Sequence, residues 1–335
     1  MRNETRIAYN AYLDQIAKLN GVPSATEKFT VTPSVQQTLE SKIQESSDFL
    51  SKINIVGVPE KTGEKLGLGV SGPIAGTTDT SATDRATSDV SSIDANGYDC
   101  TQTNFDTHIT YAKLDMWAKF PDFQTRVRDA ILRRQALDRI MIGFNGTSRA
   151  ATSNKGTNPL LQDVNIGWLQ KYRANAAARV MAEVVAASGQ VKVGATGDYK
   201  NMDALVFDAV NSLIEPWYRE DTELVCVLGR DLLADKYFPL INATQAPTEQ
   251  LAADLIVSQK RVGGLQAVRA PFVPAGTMLI TRLDNLSIYY QDGARRRTVV
   301  DNAKRDRIEN YESSNDAYVV EDYGCGCVVE NITLV

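Results

Sequence analysis

Between Gly57 and Gly97 the chain gives up the means to build a core. Gly, Ser and Thr fill nearly half of this stretch, and from Gly76 to Asn96 the only large apolar residues are Val90 and Ile93. Ordering such a segment costs backbone entropy with little apolar burial to offset it. A loop of this length is therefore either mobile or packed on another molecule. Strand signals flank it. Leu66, Leu68 and Val70 alternate with glycine and polar residues, and Phe105, Thr107, Ile109 and Tyr111 alternate with Asp106, His108 and Thr110. The pattern predicts a long two-stranded finger.

The core has to come from the rest of the chain. Its 335 residues allow roughly two packed units at about 100 to 200 residues each, and 43% hydrophobic with 23% charged residues is ordinary globular composition. Residues 6–19 place Tyr9, Tyr12, Leu13, Ile16 and Leu19 at helical spacing, and Asn20-Gly21-Val22-Pro23 stops that helix. From Phe29 to Val56 the apolar residues Val35, Leu39, Ile43, Phe49, Leu50 and Ile53 are scattered among polar ones, which predicts a partly extended arm. Pro121 opens the strongest helix signal. Phe123, Val127, Ala130, Ile131, Leu137, Met141 and Phe144 share a face, Arg126, Arg128, Arg133, Arg134 and Arg139 lie largely elsewhere, and Asn145-Gly146 ends it. At about 1.5 Å per residue such a helix spans on the order of 35 Å, enough for a domain's spine.

A second domain is predicted to begin near Asp198. Val206, Ala209, Val210, Leu213, Ile214 and Trp217 form a helical stripe, 223–228 reads as a buried strand, and 231–237 and 249–256 read as helices. After Gly263-Gly264 the chain becomes strand-rich, at 267–269, 278–281, 286–290, 297–300, 307–312, 318–321 and 327–335. The expectation is an α+β chain whose C-terminal strands return to the earlier unit.

No stretch assembles an active site. Gly67-Leu68-Gly69-Val70-Ser71-Gly72 has the letters of a dinucleotide fingerprint, and it motivates one alternative, a cytosolic nucleotide-binding enzyme. That site needs a helix starting at the glycines, whereas Pro73 and Gly76 follow here, so hairpin glycines are the better reading. His108 is the only histidine, which excludes a multi-histidine metal site and leaves one triad candidate, on the polar phase of a strand. Cys325-Gly326-Cys327 lacks the spacer and second pair of a zinc or redox motif. Asp79, Asp84, Asp89 and Asp94 recur without the glycine and closing glutamate of a calcium loop, and so predict a solvated acidic face. No metal and no cofactor is expected.

A net charge of -5 offers no overall attraction to nucleic acid or anionic lipid. The spine arginines, Arg295-Arg296-Arg297 and Lys304-Arg305 therefore read first as salt-bridge partners within or between subunits, and second as local phosphate contacts. No apolar run approaches the roughly 18 residues of a membrane span, and the start lacks a signal peptide's apolar stretch, so the chain is expected to stay in the cytosol, away from membranes. Four cysteines there are too few for a disulfide framework.

Longer blocks are more specific. Phe29-Thr30-Val31-Thr32-Pro33-Ser34-Val35, Gln44-Glu45-Ser46-Ser47-Asp48-Phe49-Leu50, Leu114-Asp115-Met116-Trp117-Ala118 and Gly143-Phe144-Asn145-Gly146 resemble the major capsid proteins of Peduovirus-type temperate tailed phages. So do Gly167-Trp168-Leu169-Gln170-Lys171-Tyr172-Arg173, Glu215-Pro216-Trp217-Tyr218, Leu233-Ala234-Asp235-Lys236-Tyr237-Phe238-Pro239 and Glu309-Asn310-Tyr311-Glu312-Ser313, and the resemblance runs nearly end to end.

The resemblance implies the tailed-phage, Hong Kong-type capsid fold. Its parts would be an N-terminal helical segment (1–28), an N-arm (29–56), an E-loop hairpin (57–113), a P-domain (114–197) with its spine helix at 121–145, an A-domain (198–280), and strands returning to the P-domain (281–335). The implied role is a structural subunit, not an enzyme, that self-assembles into hexamers and pentamers of an icosahedral head around double-stranded DNA. The head is assembled in the host bacterial cytoplasm and carried in the virion. The implied partners are other copies, a scaffolding protein and maturation protease, a portal protein and the packaged DNA. Candidate subunit contacts are Val35, Leu39 and Phe49 of the arm, Leu66, Leu68 and Val70 of the finger, and Arg126, Arg133 and Arg134 of the spine. The implied maturation cut falls at Phe29, Thr30, Val31 or Thr32. Lys61 and Lys65 of the finger are expected to be solubilising and not crosslinking. Within the same fold, an encapsulin-type nanocompartment shell is the alternative.

Overall fold

The computed structural model describes residues 1–67, 75–87, 92–117, 123–233 and 260–335. Leu68, Val70, the glycine motif beyond Gly67 and the helices expected at 231–237 and 249–256 lie outside them, apart from Asp231–Leu233. The helices are α1 (Asn3–Asn20), α2 (Pro33–Glu45), α3 (Tyr111–Trp117), α4 (Phe123–Asn145), α5 (Trp168–Asn175) and α6 (Met202–Leu213).

The first sheet is organised around one strand of 14 residues, Arg307–Val320. Leu286–Gln291 and Arg296–Asn302 run along one of its edges, and Thr101–Asn104 and Thr107–Thr110 along the other. The latter pair keeps a single register, with Ser313 opposite Asn104 and Asn310 opposite Thr107. The sequence pattern predicted a break after Glu312, because Ser313-Ser314-Asn315-Asp316 is polar. The strand continues because those groups find partners inside: Ser314 Oγ donates to Asp316 Oδ1 at 2.6 Å, and Asp316 takes the Arg139 guanidinium.

The arm closes the sheet's far side. Asn54–Val58 pairs in parallel with Ser287–Gln291, and Phe29–Thr30 pairs antiparallel with Arg297–Arg296. Between these strands, the extended parts of the arm, the chain is helical at α2, an element that was not expected there. Its buried stripe is Gln36, Glu40 and Ile43. Polar residues at helical spacing hid the periodicity that apolar ones would have announced. Gln36 spans the turn opposite it, donating to the Gln291 carbonyl and accepting from the Gly293 amide, both at 3.0 Å.

The second sheet runs Arg261–Val262, Leu265–Arg269, Val225–Leu228, Met278–Thr281, Gly326–Val329 and Val180–Met181. Alternation along its strands feeds two cores. Val225, Val227, Leu279 and Val328 join the large core of Trp168, Phe144 and Phe49, while Cys226, Leu228, Ile280 and Cys327 pack with Leu205, Val206 and Ala209 of α6. Burial on both faces explains the unbroken apolar run Cys327-Val328-Val329. That run also corrects the expected course of the last strands. Gly326–Val329 pairs with Met278–Thr281, and Ile332–Leu334 with Val191–Val193, so neither returns to the first sheet.

Trp217 was expected on the stripe of α6, but the helix stops at Leu213 and the indole is 45% exposed. Pro216 disfavours helical backbone just before it. Trp217→Ala should therefore move the urea-unfolding free energy of the isolated chain by no more than about 0.5 kcal/mol. A loss several times larger would place the indole in a core.

Candidate intersubunit surfaces

The finger is the first surface. Thr62–Gly67 and Ser92–Asp99 form an antiparallel hairpin that pairs with no other strand among the described residues, and every residue from 75 to 87 is exposed. Close approach of the two strands depends on glycine: a Cβ on Gly97 would lie 2.3 Å from the Gly63 carbonyl oxygen. The base is anchored. The Cys100 amide donates to the Lys61 carbonyl at 2.8 Å, and Tyr98 meets Tyr289 edge-on at 5.1 Å. Lys65 departs from the expected solvated lysine. It is buried, donates to the Val320 carbonyl at 2.6 Å, and lies 5.2 Å from the centre of the Tyr323 ring. Lys61 is exposed, 3.8 Å from Asp99. At the tip, Asp79 accepts from the Ser81 hydroxyl and amide, which hold its carboxyl below the usual range.

A groove of about 730 Å³ between α4 and the 101–110 edge is the second surface. Ile109, Val127, Ile131, Pro159 and Leu161 supply its apolar lining, and Lys113, Arg126, Arg134 and Lys155 its cations, against Asp106 and Asp138. Arg134 is already paired with Asp138 at 2.7 Å. Burial pushes the Asp138 carboxyl up, with the Arg134 charge opposing. Of the three spine arginines singled out, Arg126 and Arg134 reach this groove, and Arg133 is exposed elsewhere on the helix.

The arm's candidates behave differently. Phe49 is 3% exposed, with ring centroids 5.5 Å from Phe144 and 6.2 Å from Trp168, so it belongs to the chain's own core and offers no contact surface. Val35 and Leu39 are half-buried against internal clusters. Leu66 stands opposite Ile93 in the finger register.

What holds the arm is a buried ion network that sequence reading missed. Arg139 of α4 is fully buried and contacts both oxygens of Glu40, from α2, and both of Asp316, at 3.1 and 3.2 Å. Arg295 donates to Glu312 at 2.8 and 2.6 Å, to Glu40 at 2.6 Å and to the Gln135 carbonyl oxygen at 2.9 Å, and the Gln135 amide donates to Glu312 at 3.1 Å. Burial alone would raise both glutamates. The guanidiniums of Arg139 and Arg295 beside Glu40, and of Arg295 beside Glu312, outweigh it and hold both carboxyls below the ordinary range. Asp316 goes the other way, because burial and the Glu40 charge exceed what Arg139 returns. The spine arginines had been set apart from the buried face as a group, and Arg139 proves to lie inside it.

The N-terminal residues form the last surface. Tyr9 and Ile16 of α1, with Ala25, Phe29, Val31, Val299 and Ile308, build a small core separate from the large one. Arg6 pairs with Asp301 at 3.1 Å, and Arg297 donates to the Tyr12 hydroxyl at 3.0 Å. The proposed cleavage residues Phe29–Thr32 lie at this junction, with Phe29 and Val31 buried, Thr32 half-buried and Thr30 exposed.

Among the described residues no group of three or more His, Cys, Asp or Glu could hold a metal ion, and no helix is long and apolar enough to cross a membrane. His108 is exposed opposite Glu309. Burial pushes the thiols of Cys100 and Cys325 up to about 12 and about 11, far from nucleophilic thiolates.

Comparison with known proteins gives these surfaces a context. The family model described as phage major capsid protein, P2 family, matches residues 8–332. The capsid proteins of Escherichia phage P2 are 57% identical over 340 residues, covering 99% of this chain and 95% of the relative. The major capsid protein of Serratia phage KSP20 is 45% identical over 340 residues, covering 99% and 98%. Among solved structures, a satellite phage P4 procapsid that includes the size determination protein Sid has a subunit 55% identical, with a TM-score of 0.84 and coverage of 100% and 99%.

Proposed function

The chain belongs to the P2 family of phage major capsid proteins, with the α+β tailed-phage capsid fold, and from that premise we infer how its parts build a phage head. Copies meet as hexamers and pentamers of a closed icosahedral shell around double-stranded DNA. In such a shell each copy meets its neighbours through similar contacts, so one finger and one receiving surface per chain suffice. Residues 29–56 act as the N-arm, 57–113 as the E-loop and 114–197 as the P-domain with its spine. Residues 198–280 form the A-domain, whose sheet is extended by Gly326–Val329 and, from the edge of the P-domain, by Val180–Met181, while 286–320 complete the P-domain sheet. The role is structural and not enzymatic, and the shell is built in the host bacterial cytoplasm. A scaffolding protein and maturation protease and a portal protein take part, and the protease acts at Phe29–Thr32. Likeness to a procapsid subunit that assembles with a size determination protein supports assembly through such partners.

The observation that carries this reading is the finger, a paired hairpin without a core whose exposed tip presents Asp79 and Asp84. The groove beside α4 offers a neighbour's finger the complement, an apolar floor with Lys113 and Lys155 at hand. Excising residues 76–87, all exposed, should change subunit stability by less than about 0.5 kcal/mol, yet abolish closed shells in negative-stain electron microscopy. Closed shells built from the excised chain would overturn the reading.

A further inference from the structure

The region assigned to the maturation cut is held by the subunit's own backbone and small core. Phe29 and Thr30 are paired with Arg297 and Arg296, the Val31 amide donates to the Arg295 carbonyl at 2.8 Å, and the Thr32 amide donates to Asn20 Oδ1 at 3.3 Å. Phe29 and Val31 are 8% and 2% exposed, under the small core that α1 supplies. A protease grips its substrate as an extended strand, by main-chain hydrogen bonds and alternate side chains. Here the Val31 and Thr32 amides and the Phe29 and Val31 side chains are already taken. The finger tip at 75–87 has no such protection.

We propose that residues 1–32 form a self-masking processing segment, in which α1 and the strand at 29–30 hold the scissile region against the first sheet until the segment unzips. The proposal rests on the processing role given above for the identity of the cut, while the masking itself is a property of the subunit alone. Opening is local. No residue of α1 belongs to the large core around Trp168, so releasing the segment costs a small core and one short pairing and leaves the spine in place. Access to the cut is then set by an opening equilibrium that an assembling partner can shift.

Proteinase K digestion of the unassembled subunit, with fragments timed by mass spectrometry, tests this. Cleavage of a protected segment tracks its open population, so cuts within 75–87 should appear at least about tenfold faster than cuts within 29–32. Ile16→Asp, which puts a charge into the small core, should raise the rate at 29–32 about tenfold and leave 75–87 unchanged. Should that variant unfold globally, cuts would appear throughout 123–145, and a second variant decides. Thr30→Cys with Arg296→Cys joins facing positions, and its oxidised form should suppress cutting at 29–32, with reduction restoring the original rate. Equal rates at the two sites in the unaltered subunit, or a rate at 29–32 indifferent to the oxidised bridge, would overturn the masking. Intact mass of subunits from finished shells tests the processing role separately: mature subunits that keep residues 1–32 would sink that role and leave the masking result standing.

Discussion

Arg139→Met should cost the folded subunit about 3–5 kcal/mol, because removing one partner of a buried ion pair leaves uncompensated charge behind. The methionine replaces much of the side chain's volume, so what is lost is the charge and its hydrogen bonds. Glu40 would keep Arg295 as its only guanidinium partner, and Asp316 would keep only the Ser314 hydroxyl among its donors in the network. Urea unfolding of the unassembled subunit measures this directly. Arg134→Met is the control: its pair with Asp138 leaves Arg134 59% exposed, and exposed pairs are worth about 0–1 kcal/mol. Equal effects from the two substitutions would mean that the buried network is no more than a surface pair in energy. Adding Glu40→Gln and Asp316→Asn to Arg139→Met should recover part of the loss, since the charges left stranded are then gone.

The network also fixes the sign of the acid response. Glu40 and Glu312 have carboxyls held below their ordinary value of 4.5, so their contribution is present above that pH and is lost as pH falls through the depressed folded values. Asp316 is raised, so its contribution is present at low pH and is lost as pH rises through its folded value. The two depressed glutamates predict destabilisation on acidification below about pH 4.5, which the raised Asp316 opposes. In Arg139→Met the Glu40 carboxyl loses half its cationic support, its folded value rises, and the acid-induced loss should shrink. A steeper acid loss in the variant would contradict the electrostatic account.

Legibility in the sequence followed the chemistry of burial. Where apolar residues line a buried face the elements were readable: the spine at Phe123–Asn145, the strand at Met278–Thr281 and the strand at Val225–Leu228 stand where their periodicity put them. Where polar residues line it, reading failed. Gln36 and Glu40 concealed α2, Ser314 and Asp316 concealed the middle of the longest strand, and Arg139 was grouped with surface arginines. One cause underlies all three, a charge network assembled from positions as far apart as Glu40, Arg139 and Arg295, which no local window brings together. The finger was legible only in part: the absence of a core is itself a local property, but its second strand is Ser92–Asp99 and not the alternating stretch read at 105–111, whose Thr107–Thr110 pairs with the long strand of the first sheet. The receiving groove was not legible, because its lining comes from three separate stretches near 104–113, 126–138 and 155–161.

Trp168→Ala should be the most damaging apolar truncation, at about 3–5 kcal/mol for the transfer and cavity terms together. The indole is fully buried and donates to the Ser287 carbonyl at 3.1 Å. Its ring meets Phe49 of the arm at 6.2 Å, Phe144 of the spine at 5.4 Å and Tyr318 of the long strand at 5.5 Å, so one side chain ties together the parts that the ion network ties elsewhere. The space cannot refill from the spine side, because Gly143 faces the ring: a Cβ there would sit 2.2 Å from Trp168 Cζ3. Trp168→Phe keeps most of the volume and loses the N–H, and should cost about 1–3 kcal/mol, the penalty of a buried carbonyl left without that donor. Gly143→Ala approaches the same contact from the other side and should also destabilise, because helix backbone and a ring packed on every side have little room to part. Urea midpoints for the three variants, read by far-ultraviolet circular dichroism so that loss of the indole does not blind the measurement, should rank alanine at 168 below phenylalanine at 168. If Trp168→Phe matched the unaltered subunit while Gly143→Ala did too, the arm, the spine and the long strand would be held by the ion network alone, and the aromatic junction would be filler.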